Sequence, residues 1–237
     1  MVDGPPRVTV VTPTYNERET LPRLAERILA LGHDYALLIV DDASPDGTGA
    51  IADRLAAAHP GRIAVLHRAG KEGIGPAYIA GFRAALAAES PLIAQMDADL
   101  SHDAADLPRL AAATAEADLA IGSRYAPGGD TEGWSAWRRA MSQWGCRYAQ
   151  AVLGVPIADL TGGYKVWRRE TLAALDLDRS AADGYGFQIE TTLRALRSGA
   201  RVVEVPIVFH ERAAGQSKIS RHIVAEAAVL VWRLRSG

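Results

Sequence analysis

The sequence predicts an α/β fold, with a Rossmann-like, mostly parallel sheet flanked by helices. Short apolar runs rich in β-branched residues alternate with segments whose apolar residues recur at helical spacing. Proline, glycine or aspartate follows most of these runs and marks the turns. This alternation is typical of a doubly wound sheet, in which ligands bind at the carboxyl ends of the strands.

Five apolar runs in the first half of the chain are predicted as strands. They cover residues 7–13, 36–42, 62–67, 91–95 and 118–124. Helical periodicity predicts a helix after each of the first four strands. The first helix spans residues 20–31, with Thr20 as its N-cap and Gly32 as its stop.

The second half of the chain changes in composition after Tyr125. A helix is predicted around residues 137–148, a short strand at 161–167, and helices from 170 and around 189–196. The run at 201–207 is predicted as an edge strand, because Pro206 cannot donate a hydrogen bond to a neighbouring strand. A final amphipathic helix is predicted at 219–234.

Composition and charge limit the classes of function. The 237 residues are 49% hydrophobic and 23% charged, which is ordinary for one large globular domain. A single cysteine excludes a disulfide framework, and no window approaches the length of a membrane span. The net charge of −2 does not support nucleic-acid binding. The N-terminus lacks the basic start and apolar core of a signal peptide, so we expect a cytoplasmic protein.

Two aspartates, Asp97 and Asp99, directly follow the fourth predicted strand. Unpaired carboxylates are rarely buried, and hard oxygen ligands at this spacing suit a divalent cation such as Mg²⁺ or Mn²⁺. A cation held there could bind a diphosphate. The alternative interpretation is that Asp97 ends the strand while Asp99 and Asp103 cap the next helix.

The helix predicted around residues 137–148 carries an aromatic stripe. Trp137, Met141, Trp144 and Tyr148 recur on one face, and several arginines accompany them. The stripe is typical either of a core-facing surface or of an interfacial helix at the level of lipid headgroups. The half of the chain that contains it is basic, which could favour phosphates or an anionic membrane, although scattered surface charge gives the same balance.

Four segments together resemble the family-2 glycosyltransferases with the GT-A fold: residues 13–17 (PTYNE), 40–48 (VDDASPDGT), 97–102 (DADLSH) and 123–125 (SRY). Residues 71–78, 161–165 and 204–218 make the chain most similar to the dolichol/polyprenol-phosphate mannose synthases. The resemblance implies one GT-A domain over residues 1–237. Its nucleotide-binding half would cover about 1–124, and an acceptor half with an acceptor-loop region about 125–237.

The resemblance also implies residue roles. The donor's base and ribose would lie against Pro13, Tyr15, Glu17, Val40 and Asp42, and its diphosphate and metal against Asp97, Ala98 and Asp99. The catalytic groups would be Asp99 and three cations that complete the anion site, Arg124, Arg212 and Lys218. Arg138 and Ser142 would bind the acceptor phosphate. Residues 215–218 would close over the substrates.

The implied reaction is inverting, metal-dependent transfer of mannose from GDP-mannose to polyprenyl phosphate. A phosphate monoester is largely deprotonated at neutral pH, so no general base is required. Asp159 lies where relatives that glycosylate hydroxyls carry their base; we interpret it as structural, in the turn before Gly162, with a base as the alternative. Ser101 replaces a glutamine that some members have as a possible third metal ligand.

Two other functions remain open at this point. One is a sibling enzyme that transfers glucose or another sugar from a UDP- or GDP-sugar, and the other is a non-catalytic nucleotide-binding subunit. Many relatives add transmembrane helices after the catalytic domain, whereas this chain ends at Gly237. We therefore expect it to meet its lipid peripherally, at the cytoplasmic face of the membrane, or through a membrane-anchoring partner protein.

Overall fold

A computed structural model describes residues 7–177, 185–211 and 230–235. Nine strands are assigned within these ranges: β1 (Val8–Thr14), β2 (Tyr35–Asp41), β3 (Ile63–His67), β4 (Leu92–Gln95), β5 (Leu119–Ser123), β6 (Asp130–Thr131), β7 (Lys165–Arg168), β8 (Val202–Pro206) and β9 (Val208–Phe209). The first five are the strands that the apolar runs predict.

Seven α-helices accompany these strands in the described part of residues 7–211: α1 (Leu21–Ala30), α2 (Thr48–Ala58), α3 (Ile74–Ala87), α4 (Leu107–Ala113), α5 (Ala136–Leu153), α6 (Arg169–Ala174) and α7 (Tyr185–Arg197). A short 3₁₀ helix, Ala104–Asp106, precedes α4. Of the final helix predicted at 219–234, residues 230–235 are described and are helical. None of the helices in the described ranges is long and apolar enough to cross a bilayer.

The main sheet has seven strands in the order β3-β2-β1-β4-β7-β5-β8. Only β7 runs antiparallel to its neighbours, β4 and β5, and the rest of the sheet is parallel. Strand order reverses between β1 and β4, which makes the space beyond their carboxyl ends the switch point where such sheets bind ligands. Apolar clusters pack against both faces of the sheet.

The edge position predicted for the strand that ends at Pro206 is confirmed, because β8 pairs only with β5 in the main sheet. The N-cap predicted at Thr20 has the right position but not the expected bond. The Thr20 hydroxyl donates to the Glu17 carboxylate at 2.6 Å, and its oxygen accepts no helix N–H. The antiparallel direction of β7 and the two-residue strands β6 and β9, which pair with each other, were not predicted.

The aromatic stripe on α5 does not face the core throughout. Trp137 and Trp144 are 75% and 56% exposed, so the core-facing interpretation is wrong for these two side chains. The buried face of α5 is formed by Cys146 and Ala149 instead. Trp144 stacks on Tyr148 with ring centroids 5.6 Å apart.

Candidate functional site

The candidate site lies at the carboxyl ends of β1, β2 and β4. A non-glycine residue with a left-handed backbone follows each of these ends: Asn16 (φ 62°), Ala43 (φ 53°) and Leu100 (φ 63°). This conformation is uncommon for residues with a side chain and concentrates at functional sites. At each strand end the chain therefore turns sharply and leaves polar groups at the edge of the sheet.

One side of the site is built by the residues predicted to hold the nucleotide base. Pro13 and Val40 are register partners on β1 and β2. Tyr15 follows β1 and is 36% exposed, with the Lys71 ammonium 4.0 Å from its ring centroid. An exposed ring beside a cationic side chain suits stacking on a planar base.

Asp42 is buried beside Arg68, whose Nη1 donates to Asp42 Oδ1 at 2.5 Å. Burial raises the pKa of Asp42, and the Arg68 charge acts in the opposite direction. Arg68 also pairs with Glu72. The structure thus adds Arg68 to the candidate site as the group that orients Asp42, although no sequence pattern pointed to it.

Glu17 is held by hydrogen bonds to residues at the start of α1 and α2. Its backbone N–H donates to Thr48 Oγ1 at 2.9 Å, and its carboxylate accepts the Thr20 hydroxyl. The contacts join the loop after β1 to the start of α2. Glu17 therefore lies at the base-binding edge that the sequence predicts, in a position fixed by two helix termini.

Asp97 and Asp99 lie just beyond β4, and each carboxylate has a hydrogen-bond donor at one oxygen. Asp97 Oδ1 accepts the Tyr78 hydroxyl at 2.8 Å. Asp99 Oδ1 accepts the backbone N–H and the hydroxyl of Ser101. Asp103 caps the 3₁₀ helix by accepting from Ala105 N at 3.0 Å, as the alternative interpretation of this segment expects for that residue.

The chemistry of this donor set fits a divalent cation only in part. Two adjacent carboxylates supply hard oxygen atoms, which Mg²⁺ and Mn²⁺ prefer. Within the described ranges no group of three or more His, Cys, Asp or Glu side chains could hold a metal ion. The remaining ligands would have to come from outside the protein, and diphosphate oxygens meet that need.

His102 is a buried residue next to the two aspartates. Its ring stacks on Tyr164 at a centroid distance of 4.7 Å, and its Nδ1 accepts the Asp97 backbone N–H at 3.4 Å. Burial lowers the pKa of His102, against the opposing charges of Asp97 and Asp99. The imidazole is therefore a neutral acceptor at Nδ1 near pH 7.

Arg124 is buried and already paired within the protein. Its Nε and Nη2 donate to the two oxygens of Asp159 at 2.7 and 2.6 Å, and Nη2 also donates to Thr161 Oγ1. Burial acts against the charge of Arg124, yet Asp159 raises the pKa of the guanidinium overall. The cation that the sequence predicts for the anion site thus forms a bidentate ion pair.

Arg138 and Ser142 lie one turn apart on α5, as their spacing predicts. Ser142 Oγ is 2.6 Å from the Tyr125 hydroxyl, which donates to it. The Arg138 guanidinium lies 4.1 Å from the Trp134 ring centroid, and its Nη1 donates to Glu211 at 3.0 Å. The buried Arg138 Nε has no hydrogen-bond partner among the described residues. The Arg138 side chain as a whole is 20% exposed, so its guanidinium reaches the surface beside Glu211.

Two of the predicted cations, Arg212 and Lys218, lie outside the described residues, as does the predicted closing segment 215–218. The structure brings the other predicted residues to one end of the sheet, on β1, β2, β4, β5 and α5. Sequence reasoning missed the groups that hold them in place: Arg68, Lys71, Tyr78, Glu211 and Trp134. The partners of Arg68, Tyr78 and Glu211 are 26, 19 and 73 residues away in the chain, whereas Trp134 contacts Arg138 only one helical turn along. The resemblance, through residues 71–78, drew attention to Lys71 and Tyr78.

Comparison with known proteins supports the family resemblance. The sequence profile described as "Glycosyl transferase family 2" matches residues 9–175. An undecaprenyl-phosphate mannosyltransferase of Micrococcus luteus is 48% identical over 227 residues, 96% of this chain and 93% of the relative. A polyprenol monophosphomannose synthase of Mycolicibacterium smegmatis is 48% identical over 233 residues, 97% of this chain and 88% of the relative.

A more distant relative and a solved structure extend the comparison. A dolichol-phosphate mannosyltransferase of Pyrococcus furiosus is 34% identical over 96% of this chain and 63% of its own length. The crystal structure of glucosyl-3-phosphoglycerate synthase from Mycobacterium tuberculosis, in complex with Mn²⁺, UDP and phosphoglyceric acid, superposes with a TM-score of 0.70 at 19% identity, over 98% of this chain and 79% of that one. At this identity the likeness concerns the fold. The chain belongs to glycosyl transferase family 2.

Proposed function

We propose that this protein transfers mannose from GDP-mannose to the phosphate of a polyprenol, with inversion at the anomeric carbon and with Mg²⁺ or Mn²⁺. The observation that carries the proposal is 48% identity, over nearly the whole chain, to two enzymes named for polyprenyl-phosphate mannose synthesis. The polar groups at the carboxyl ends of β1, β2 and β4 support the proposal, because ligands bind at this edge of such sheets.

The donor is held by the nucleotide-binding half, at about residues 1–124. Tyr15 stacks on the base, with Lys71 on its far side. Asp42, oriented by Arg68, accepts N–H groups, and guanine presents two such donors on one edge. Asp97 and Asp99 would hold the divalent cation through their carboxylate oxygens. When bound, this cation stabilises the negative charge that grows on the departing GDP.

The acceptor phosphate binds in the half at about residues 125–237. The partly exposed guanidinium of Arg138 and the hydroxyl of Ser142 are its donors. The Arg124–Asp159 pair lies beside Tyr125 and Trp134, next to the acceptor residues, while Arg212 and Lys218 would bring further positive charge. A deprotonated phosphate attacks without a base, so positioning and charge stabilisation supply the rate enhancement.

A lipid acceptor requires contact with a membrane, and α5 offers a surface for it. Trp137 and Trp144 are exposed on the same helix that carries Arg138 and Ser142. Exposed tryptophan next to arginine is typical of the headgroup level. We place the protein peripherally at the cytoplasmic face of the membrane, with α5 against the lipid and an anchoring partner protein as an additional means of attachment.

A transfer assay tests the proposal. The purified protein is given a short-chain polyprenyl phosphate, Mg²⁺ or Mn²⁺, and labelled GDP-mannose, UDP-glucose or GDP-glucose. We expect mannosyl lipid from GDP-mannose alone, and a loss of about 10²- to 10³-fold in Asp99→Asn. Asp103→Asn is the matched control, because Asp103 caps the neighbouring 3₁₀ helix and is not assigned to the site.

The other outcomes separate the competing functions. Glucosyl lipid from UDP-glucose or GDP-glucose would identify a sibling enzyme with a different donor. Nucleotide binding without transfer from any donor would identify a non-catalytic binding subunit. Equal losses in Asp99→Asn and Asp103→Asn would show that Asp99 acts through folding rather than through the reaction.

A further inference from the structure

Tyr78 on helix α3 contacts Asp97, one of the two aspartates proposed to hold the cation. The side chain is fully buried, and its hydroxyl donates to Asp97 Oδ1 at 2.8 Å. Burial and the Asp97 charge raise the pKa of Tyr78 well above its ordinary value. The phenol is therefore a permanent neutral donor, and it gives Asp97 Oδ1 a fixed partner.

The Tyr78 ring has no room to turn away from Asp97. It stacks on Phe187 of α7 with ring centroids 6.0 Å apart and an interplanar angle of 2°, and on Phe82 one turn along α3 at 5.7 Å. All three rings are buried in the same apolar cluster. Such packing fixes a side-chain rotamer, so the direction of the hydroxyl is set by the core.

Gly81 allows α3 to pack close to the sheet. A Cβ built on Gly81 would lie 2.4 Å from Val11 Cγ1 and 2.8 Å from Val40 Cγ2, distances that real Cβ atoms do not show. Gly81 lies three residues after Tyr78 and hence on nearly the same helical face. The close approach of α3 to β1 and β2 at Gly81 brings the Tyr78 hydroxyl within reach of Asp97.

The second carboxylate oxygen of Asp97, Oδ2, lies beside a glycine, Gly163. A Cβ built on Gly163 would lie 3.5 Å from Asp97 Oδ2, and His102 accepts the Asp97 backbone N–H. With Oδ1 held by Tyr78, the plane of the carboxylate is defined. Hydrogen-bond partners behind a ligating carboxylate of this kind commonly change metal affinity by about 10- to 100-fold.

We propose that Tyr78 is a positioning residue, which fixes the Asp97 carboxylate for the divalent cation bound together with the nucleoside diphosphate. The inference rests on the proposed function, because that function assigns the cation to Asp97 and Asp99. It adds α3 to the elements that determine metal affinity, although Tyr78 is not expected to touch the substrate or the metal.

The structure supplies a matched pair of variants for the test. Tyr164 is, like Tyr78, a fully buried tyrosine, and its hydroxyl donates at 2.8 Å to the backbone carbonyl of Asp103. Tyr78→Phe and Tyr164→Phe thus remove the same atom, together with the hydrogen bond that each hydroxyl donates. The bond to the Asp97 carboxylate is charge-assisted and should contribute more to the free energy of unfolding than the bond to a neutral carbonyl. Metal binding is therefore compared at a temperature where urea unfolding shows that both variants are fully folded.

The experiment measures Mn²⁺ binding in the presence of GDP. The concentration of free Mn²⁺ is determined from its electron paramagnetic resonance signal. We expect the Mn²⁺ dissociation constant to rise about 10-fold or more in Tyr78→Phe and to stay within about 2-fold of wild type in Tyr164→Phe. Equal affinity in wild type and Tyr78→Phe, or equal weakening in both variants, would overturn the role of Tyr78 alone. Failure of the wild-type protein to bind Mn²⁺ with GDP would overturn the metal part of the proposed function, and the role of Tyr78 with it.

Discussion

The carboxylate of Asp159 accepts two hydrogen bonds, of 2.7 and 2.6 Å, from the guanidinium of Arg124 in the protein interior. Asp159 is fully buried, and Glu204 accepts its backbone N–H at 2.9 Å. Burial acts to raise the pKa of Asp159, but Arg124 lowers it below its ordinary value. A carboxylate that is stabilised in its charged form and occupied on both oxygens is a poor general base, which agrees with its interpretation as structural.

Replacing Asp159 by asparagine should therefore destabilise the protein rather than remove a catalytic step selectively. We expect a loss of about 3–5 kcal/mol in the free energy of unfolding, because Arg124 would be left buried without its counter-charge. Urea unfolding measures this loss. The double variant Asp159→Asn with Arg124→Met should recover part of it. A stable Asp159→Asn protein that binds GDP but has lost transfer would instead identify Asp159 as the base.

Lys165 makes the stability of the protein depend on pH. Its ammonium is fully buried on β7 and donates to Gln188 O at 2.9 Å, and burial lowers its pKa to about 7. The unfolded chain, with an ordinary lysine pKa of about 10.4, binds more protons than the folded one between these two values. The destabilisation is thus complete below about pH 7 and fades as the pH rises toward about 10.4.

Lys165→Met should remove this dependence while keeping most of the side-chain volume. At pH 7 we expect the variant to be more stable than wild type by roughly 2–4 kcal/mol, and the difference to shrink by pH 10. Chemical denaturation at the two pH values measures both differences. A difference that is the same at pH 7 and pH 10 would show that Lys165 keeps an ordinary pKa in the folded state.

Two helix glycines should respond to alanine with opposite signs. At Gly81 a methyl group would overlap Val11 and Val40, whereas a Cβ at Gly145 of α5 would meet nothing within 4 Å. We expect Gly81→Ala to cost about 1–3 kcal/mol through overpacking, and Gly145→Ala to gain up to about 1 kcal/mol from helix propensity. Thermal or urea unfolding of both variants checks this. A stabilised Gly81→Ala would mean that α3 can move away from the sheet without loss.

The strands and most helices could be predicted from the sequence because their signals are local. A buried parallel strand is apolar along its length, and a strand end is marked by the next polar residues, as at Asp97 and Asp99. The edge position of β8 followed from Pro206 in the same way. The insertion of β7 between β4 and β5 did not, because strand order and direction depend on contacts between distant segments.

The same distinction holds within the candidate site. Resemblance placed Arg124 and Arg138 near a phosphate, but their present partners, Asp159 and Glu211, are 35 and 73 residues away in the chain. Nothing in a single sequence pairs such residues. The aromatic stripe on α5 is a second example. Its period predicts the helix correctly, but the period does not say whether Trp137 and Trp144 are exposed, because that depends on how α5 packs on the sheet.

Glu211 should compete with the acceptor phosphate for Arg138. Its carboxylate is half-exposed and lies 3.0 Å from Arg138 Nη1, a position that a phosphate oxygen could take. Exposed ion pairs contribute about 1 kcal/mol at most, so the competition is modest. We expect Glu211→Gln to lower the KM for polyprenyl phosphate about 2- to 5-fold at unchanged KM for GDP-mannose, as measured by steady-state kinetics.

Glu132→Gln is the control for that change. Glu132 directly follows β6 and contacts His210 at 3.0 Å rather than Arg138. Its replacement should leave the KM for the acceptor unaltered. A higher KM for the acceptor in Glu211→Gln would mean that Glu211 supports the geometry of Arg138 instead of competing for it.

The exposed stripe of α5 should determine binding to lipid. Trp137, Ala140, Trp144 and Arg147 all lie on the exposed side of the helix. We expect Trp137→Ala with Trp144→Ala to weaken partition onto phosphatidylcholine–phosphatidylglycerol vesicles at least about tenfold, since burying one such side chain contributes about 2 kcal/mol. Gln143→Ala with Gln150→Ala, on another side of α5, is the matched control. Flotation with vesicles measures both, and equal binding of the tryptophan variant and wild type would assign the lipid contact to another surface.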